Sequence, residues 1–418
     1  MGGIFMTIIK TAALAATVSF AALSGAYADN LKIAFIDPLS GPFGPSGDAA
    51  LKQWTHAAEE VNAGGGINGQ DVEIVAFDNK INPKESLVQL QKAIDQGIRY
   101  VAQGNGSSVA AAIIDAVGKH NQRNPGDEVL FLNYAAVDPA FTNDACSFWH
   151  FRFDSHADMK MEGMTDWIKA RENIKKIYVI GQDYSYGKAV AAAAVSQLTE
   201  KRPDIEIVGN ELHPLGKVKD FTPYVQKIIS SGADVIITGN WGADMVLLVK
   251  AAIDSGWDKP ILTYYGNSLG AATAMGEAAV GKVMQISEVD INFDSGNAAQ
   301  EARIDSFNAQ YGPANSYYYH RVYNALGFLD MAAEKAGSVA PKDVAFALEG
   351  MTYDGPYGTV TMRGEDHQVL QDLFVSTFVK EPKRTVEGLP LGWASGEGDR
   401  IPAANTASAT TCKMERPS

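Results

Sequence analysis

The fold is decided by a stretch near the start of the chain, Leu31-Lys32-Ile33-Ala34-Phe35-Ile36-Asp37-Pro38-Leu39-Ser40-Gly41-Pro42. Its first six residues form a short apolar run, which is typical of a buried strand, and a turn rich in Pro, Ser and Gly follows. Apolar residues at helical spacing then extend over 48–62, until three glycines at 64–66 end the pattern. The stretch therefore predicts a strand, a loop and a helix in that order.

The same order of strand and helix recurs along the chain. Further strands are predicted at 72–77, 100–103, 129–132, 177–180, 205–208, 235–238, 261–264, 358–362 and 374–379. Helices are predicted at 83–96, 104–118, 158–171, 187–201, 222–231, 243–255, 297–310, 317–336 and 341–350. Strands that alternate with helices of this length predict an α/β fold with right-handed βαβ units and parallel sheets. The length of the chain favours two such sheets over one.

The N-terminus has the pattern of a secretory signal peptide. Lys10 precedes a run of apolar and small residues at 11–25, and Ala26-Tyr27-Ala28 supplies a cleavage site. No later segment has the roughly 18 apolar residues of a membrane helix. We expect cleavage after Ala28 and export to the periplasm; Met6 is an alternative start.

Charge and cysteine content narrow the class further. A net charge of −14 and a pI near 5.0 argue against a nucleic-acid partner, which would need basic patches. The two cysteines, Cys146 and Cys412, favour one disulfide in an oxidising compartment, with two unpaired thiols as the alternative. No metal site is expected, because Cys412 has no Cys or His at ligand spacing.

Four stretches together resemble the type I periplasmic binding proteins of the leucine/isoleucine/valine-binding kind. They are the strand and turn at 31–42, Val61-Asn62-Ala63-Gly64-Gly65-Gly66-Ile67-Asn68-Gly69, Asp78 with Pro83, and Gln182-Asp183-Tyr184-Ser185-Tyr186-Gly187. The resemblance implies two Rossmann-like lobes with parallel sheets joined by three crossing strands, and a ligand held in the cleft by hinge closure. It also implies a monomer without a cofactor that serves the transmembrane permease subunits of an ABC importer.

The lobes are expected to be discontinuous in sequence. We predict one lobe from 29–148 and 286–350 and a second from 149–285 and 351–384, with a first crossing in the polar and aromatic stretch 146–154. Residues 385–418 lack periodicity and are expected to be extended or mobile except where Cys412 ties them.

The first candidate for ligand binding is Gly104-Asn105-Gly106-Ser107-Ser108, which follows a strand and begins a helix. Amides at a helix N-terminus favour an anion, and open α/β sheets bind ligands beyond the carboxyl ends of their strands. Ser107 matches the family position that holds the substrate carboxylate. An ordinary N-cap is the alternative.

Two positions depart from the amino-acid receptors of the family. In the loop Asn133-Tyr134-Ala135-Ala136-Val137, where Tyr134, Ala135 and Ala136 are candidate contacts, Val137 stands where the family has a threonine hydroxyl. Tyr265 stands where the family has the acidic partner of the ligand's ammonium. Both departures weaken the expectation of an ammonium in the ligand, unless Glu288 or Asp183 compensates.

Aromatic residues occupy the remaining cleft positions. The candidates are Phe43, Tyr186, Trp241 and Tyr265, with Ser46 at a further family contact position. Aromatic walls suit a flat or apolar ligand body, although each ring would equally serve to pack its own lobe.

An enzyme is not expected. There is no H-E-x-x-H pair, and His150, His156 and His320 are interpreted as surface or hinge residues. The leading function is a receptor for amino acids or related small carboxylates. Aromatic or keto acids and amide- or urea-type compounds are the alternative ligands, and a sensory module for a signalling receptor is the alternative role.

Overall fold

The structure of the chain is a computed structural model that describes residues 1–2, 29–312 and 320–418. The predicted signal peptide falls almost wholly outside these residues, as does the first turn of the helix predicted from 317. Both therefore stay predictions. In the part of the chain that is described, no helix is both long and apolar enough to cross a membrane.

Strands and helices alternate as the sequence predicts. The strands are β1 (Leu31–Asp37), β2 (Val72–Asp78), β3 (Tyr100–Gln103), β4 (Leu130–Asn133), β5 (His150–Arg152), β6 (Lys176–Gln182), β7 (Glu206–His213), β8 (Val235–Thr238), β9 (Ile261–Thr263), β10 (Val283–Ser287), β11 (Thr352–Gly355), β12 (Gly358–Met362), β13 (Val369–Leu370), β14 (Leu373–Lys380), β15 (Leu391–Ala394) and β16 (Arg400–Ile401). The helices are α1 (Gly44–Ala63), α2 (Pro83–Asp95), α3 (Ser107–Arg123), α4 (Ala157–Lys169), α5 (Ser185–Lys201), α6 (Thr222–Ser230), α7 (Gly242–Asp254), α8 (Ala271–Met275), α9 (Ala298–Tyr311), α10 (His320–Ala336), α11 (Pro341–Leu348) and α12 (Ala403–Thr406).

Two large sheets organise the molecule. The first has the strand order β2-β1-β3-β4-β5, and all of its neighbouring strands are parallel. The second has the order β15-β14-β10-β9-β8-β6-β7, in which β6 to β10 are parallel and β14 pairs antiparallel with both β10 and β15. A small antiparallel sheet, β11-β12-β13, completes the fold. Each large sheet is the core of one lobe.

Helices cover both faces of each sheet, which explains why the strands are continuous apolar runs. In β1, Ile33 and Phe35 pack with Trp54 of α1, whereas Ala34 and Ile36 face the cluster that contains Ile113 of α3. Parallel strands that are buried on both faces carry this pattern. The carboxyl ends of the parallel strands in both lobes therefore carry the loops in which a ligand site is expected.

The lobe boundaries differ from the prediction in two places. β5 pairs with β4, so the first sheet extends beyond residue 148 and the first crossing follows Arg152. β11 to β13 lie with the first lobe rather than the second, because Val360, Met362 and Val369 are buried in the cluster around α10. Short polar-flanked strands such as β5 and β13 give a weak sequence signal.

The C-terminal tail is more ordered than predicted. β15 and β16 both pair with β14, so residues 391–401 extend the second sheet rather than forming a loose segment. Beyond α12 the tail reaches the first lobe, where Cys412 forms a disulfide with Cys146. The predicted disulfide is confirmed, with the two Cα atoms 5.7 Å apart.

Candidate functional site

A cavity lies between the lobes, at the carboxyl ends of the parallel strands. It encloses about 500 Å³ of space between atoms, its opening included. Both lobes contribute to its lining, which consists of Ser46, Gly104, Asn105, Gly106, Ser107, Ala135, Val137, Tyr184, Tyr186, Trp241, Gly242, Tyr265, Ser268, Leu269 and Arg321. Among the described residues this is the cleft that the parallel-sheet topology predicts.

The N-terminus of α3 forms one end of the cavity. The helix begins at Ser107, and its N-cap is Gly106, whose φ of 92° is a left-handed conformation that favours glycine. The first N–H groups of a helix have no acceptor inside it, and they carry the positive end of the helix dipole. With Ser107 itself buried, this end of the cavity suits a carboxylate.

Tyrosine and tryptophan side chains of the second lobe form the opposite wall. The Trp241 Nε1–H donates a hydrogen bond of 2.8 Å to the Tyr184 hydroxyl, which fixes the indole ring. The Tyr186 ring lies 5.8 Å from that of Tyr184 and 6.3 Å from that of Tyr265, centroid to centroid. Burial raises the pKa of Tyr186 well above its usual value, so the phenol is neutral. Within the described residues the Tyr186 hydroxyl has no hydrogen-bond partner.

Arg321 brings a positive charge to the cavity and belongs to a buried group of four charged residues. Its Nη1 lies 3.0 and 3.1 Å from the two carboxylate oxygens of Glu288 and 3.1 Å from Asp154 Oδ2. Lys160 completes this buried quartet, with its Nζ 2.8 Å from Asp154 Oδ1. The four residues come from both lobes and from the crossings between them.

The two carboxyl groups of the quartet differ in the direction in which their pKa is shifted. Burial raises the pKa of Asp154, and Arg321 and Lys160 offset that effect only in part. Burial would also raise the pKa of Glu288, but Arg321 and Lys160 outweigh it, and the pKa lies below its usual value. Glu288 is therefore the firmly ionised carboxylate of the pair. It is committed to Arg321 and does not line the cavity.

None of the described residues that line the cavity has an acidic side chain. Arg321 is the one charged residue among them, and the other polar groups are hydroxyls, an amide side chain, the Trp241 indole N–H and the backbone. Asp183, the other proposed partner for an ammonium, is exposed and lies 3.2 Å from Lys188 Nζ. The described walls of the cavity thus favour an anion and offer no carboxylate to an ammonium.

Most of the predicted contact residues meet in this cavity. They are Ser46, Gly106, Ser107, Ala135, Tyr186, Trp241 and Tyr265. Their predicted role in ligand binding remains a proposal, which the geometry supports.

Three predicted contact residues lie outside the lining. Tyr134 is fully buried beneath the loop 104–106, where its hydroxyl donates to Asp37. Ala136 is buried, and its amide donates to Asn133 Oδ1 at 2.7 Å, so the turn uses that amide itself. Phe43 packs into the second lobe instead of facing the cavity, with its ring centroid 4.3 Å from that of Trp241.

Other features of the site were missed or misread from sequence. Tyr184 lies in the motif at 182–187 but is not among the predicted contacts, and Arg321 lies within the helix predicted at 317–336, away from the loops that follow strands. His150, His156 and His320 are buried, so the surface alternative is wrong, whereas His150 and His156 lie on either side of the first crossing, as the hinge alternative expects. In the described part of the chain, no three His, Cys, Asp or Glu side chains are grouped to hold a metal ion.

Comparison with known proteins agrees with this architecture. The model of the periplasmic binding protein family matches residues 30–382. Leu/Ile/Val-binding protein homolog 4 of Brucella abortus (strain 2308) is 30% identical over 412 residues, which cover 96% of this chain and 97% of the relative. The closed conformation of the leucine-, isoleucine-, valine-, threonine- and alanine-binding protein from Brucella ovis superposes with a TM-score of 0.82 at 29% identity, covering 93% of this chain and 100% of that structure.

A solute-binding protein of an ABC transporter from R. palustris, solved in complex with benzoate, shares the fold at a TM-score of 0.75. It is 19% identical, and the match covers 92% of this chain and 99% of that structure. The family match extends over most of the chain and over both lobes that form the cavity. The chain therefore belongs to the periplasmic binding protein family, as a solute-binding protein of the ABC-transporter type.

Proposed function

We propose that this protein binds a small carboxylate without an ammonium group, such as an aromatic or keto acid, and delivers it to the permease subunits of an ABC importer. The observation that carries the proposal is the composition of the cavity wall. Among the residues that the structure describes, one arginine and the N-terminus of α3 face the cavity, and no acidic side chain does so.

Electrostatics favours an anion at this site. A carboxylate at the start of α3 would accept hydrogen bonds from backbone N–H groups and from the Ser107 hydroxyl, and the helix dipole would stabilise its charge. An ammonium would lose its hydration without gaining a carboxylate partner. Even a neutral polar group that is buried unpaired costs about 1 to 3 kcal/mol, and a charged group costs more.

The aromatic wall suits the remainder of the ligand. Tyr184, Tyr186, Trp241 and Tyr265 offer a largely apolar surface with hydroxyl groups at its edges. A ligand that touches α3 in one lobe and these rings in the other would favour the closed arrangement of the lobes, because it would make both sets of contacts only there. This closure is the signal that a permease would recognise.

A branched-chain amino acid is the second candidate ligand. It is favoured by the amino-acid-binding relatives from Brucella, which share about 30% of their residues with this chain. The benzoate complex from R. palustris supports the first candidate, but that protein is similar to this chain in fold alone. The two candidates differ at one group, the ammonium.

A matched pair of ligands separates the candidates. Leucine and 4-methyl-2-oxopentanoate have the same carbon skeleton and carboxylate, and they differ in an ammonium against a keto oxygen. Thermal unfolding should be measured with each, alongside benzoate and 4-hydroxybenzoate. A ligand at 100 times its Kd adds about 2.7 kcal/mol to the free energy of unfolding.

We expect a keto or aromatic acid to raise the melting temperature and leucine to raise it less or not at all. Stabilisation by leucine alone would contradict the proposed ligand class and favour the second candidate. A strain that lacks this protein should lose uptake of the ligand that binds. Unchanged uptake would favour the sensory role over transport.

A further inference from the structure

The carboxyl group of Asp37 lies directly beneath the loop that leads into α3. Asp37 ends β1 and is fully buried. Its Oδ1 accepts the Asn105 N–H at 3.0 Å, and its Oδ2 accepts the Gly104 N–H at 3.2 Å and the Tyr134 hydroxyl. Three donors from two other strand ends therefore converge on one carboxyl group.

The same loop is held by two further hydrogen bonds. The Asn105 side chain donates to the Tyr134 hydroxyl at 3.1 Å, and Gln103 Nε2 donates to the Asn105 carbonyl at 2.6 Å. The N–H groups of residues 104 and 105 thus point down to Asp37. The next two residues, Gly106 and Ser107, line the cavity.

We propose that Asp37 is a positioning residue for ligand binding, which fixes the backbone of residues 104 and 105 so that Gly106 and Ser107 present their N–H groups to the ligand carboxylate. This inference rests on the proposed function of the α3 N-terminus. Asp37 itself does not line the cavity and acts through the loop above it.

The chemistry of the three donors explains why a carboxylate stands here. A carboxylate accepts at both oxygens, whereas an asparagine amide would accept at one and point N–H groups at another donor. Such a carboxylate is costly to bury, and burial raises the pKa of Asp37 to about 7 despite the hydrogen bonds from Tyr134 and Asn105. The hydrogen bonds that hold the loop explain why a carboxylate is buried at this position despite its cost.

The test compares Asp37→Asn with Tyr134→Phe in the full chain. Tyr134→Phe is the matched control, because it removes the hydroxyl that donates to Asp37 and accepts from the Asn105 side chain but leaves the carboxylate that holds both loop amides. Amide hydrogen exchange of the ligand-free protein should rise about tenfold or more at residues 104 and 105 in Asp37→Asn. It should rise less in Tyr134→Phe and stay unchanged in β1 and β3.

Ligand affinity provides the second measurement, with benzoate or 4-methyl-2-oxopentanoate as the probe, whichever binds the wild type. Asp37→Asn should weaken its Kd about tenfold or more, while Tyr134→Phe changes it less than about threefold. Unchanged exchange at residues 104 and 105, or unchanged affinity, would overturn the role of Asp37. If the wild type binds neither probe, the proposed ligand class fails, and the exchange experiment still decides whether Asp37 holds the loop.

Discussion

Ser107 is the residue through which the first lobe would grip a ligand. Its side chain is buried at the start of α3 and lines the cavity, whereas the neighbouring Ser108 is exposed and does not. We expect Ser107→Ala to weaken the Kd of the ligand about five- to tenfold, because one hydrogen bond is worth about 1 kcal/mol. Ser108→Ala is the matched control for helix N-terminal effects. Isothermal titration calorimetry measures the Kd of both variants. Equal losses of affinity would show that the Ser107 hydroxyl does not bind the ligand.

Asp37 should also make the free energy of unfolding depend on pH. Its pKa is about 7 in the folded protein, against 3.8 for an aspartate exposed to water, so the folded state binds the proton more tightly. The stability that this provides is complete below about pH 4 and is lost as the pH rises through 7, by about 4 kcal/mol in all. The titratable group in contact with Asp37 is Tyr134, and Asp78 is the register partner of Asp37 on β2.

Urea unfolding at several pH values checks this prediction. The difference in the free energy of unfolding between wild type and Asp37→Asn isolates the contribution of Asp37 from that of all other groups. We expect the wild type to lose stability relative to the variant between pH 4 and pH 7. A difference that does not change with pH would show that Asp37 is ionised in the folded protein with an ordinary pKa.

Residues next to strand ends could be predicted from sequence, and others could not. Ser107, Ala135 and Trp241 follow apolar runs, so their place at the cleft follows from parallel-sheet topology. Arg321 lies on a helix, and its approach to the cavity depends on how α10 packs against β5 and the crossings. The Asp37 side chain lies beneath the loop at 104–105, and the Phe43 side chain packs into the second lobe. Both placements depend on tertiary contacts that no local sequence pattern encodes.

At the scale of elements, periodicity predicts the βαβ units but not the C-terminal strands. β15 and β16 consist of two to four residues in a segment rich in Gly, Pro, Ser and Thr, and their pairing with β14 comes from tertiary context. Beyond them the tail crosses to the first lobe. There Thr410 Oγ1 donates to the Thr142 carbonyl at 2.6 Å, and Arg416 Nε donates to Glu349 at 2.9 Å.

The disulfide should stabilise the fold without affecting the ligand site. Cys146 and Cys412 are separated by 266 positions, and neither lines the cavity. We expect the double substitution Cys146→Ser and Cys412→Ser to lower the free energy of unfolding by about 2 to 5 kcal/mol. The control is Thr411→Ala, which removes side-chain contacts of the tail but keeps the disulfide. A loss of ligand affinity in the double variant would show that the tail also controls the cleft.

At the scale of the whole molecule, Phe43 forms a contact between the two lobes. It follows β1 in the first lobe, yet its side chain is buried in the apolar cluster of the second lobe. The lack of a side chain at Gly242 makes room for the ring, since a Cβ there would lie 2.8 Å from Phe43. Because the contact with Trp241 joins the two lobes, we expect it to be lost when the cleft opens.

Removal of this contact should shift the molecule towards an open form. A large-to-small substitution of a buried phenylalanine costs about 3 to 5 kcal/mol. For Phe43→Ala we expect much of that loss to fall on the closed state alone, because separation of the lobes would withdraw the ring from the second lobe. The apparent Kd rises as the binding-competent fraction falls, so we expect the ligand to bind about ten- to a hundredfold more weakly.

Phe141→Ala is the matched control, because Phe141 is equally buried but packs only within the first lobe. It should lower the free energy of unfolding while leaving ligand affinity nearly unchanged. Small-angle X-ray scattering should give a larger radius of gyration for ligand-free Phe43→Ala than for the ligand-bound wild type, and saturating ligand should reverse the difference. If Phe43→Ala and Phe141→Ala weaken binding equally, the Phe43 contact contributes to folding alone. Closure would then depend on the ligand and on the buried quartet at the crossings.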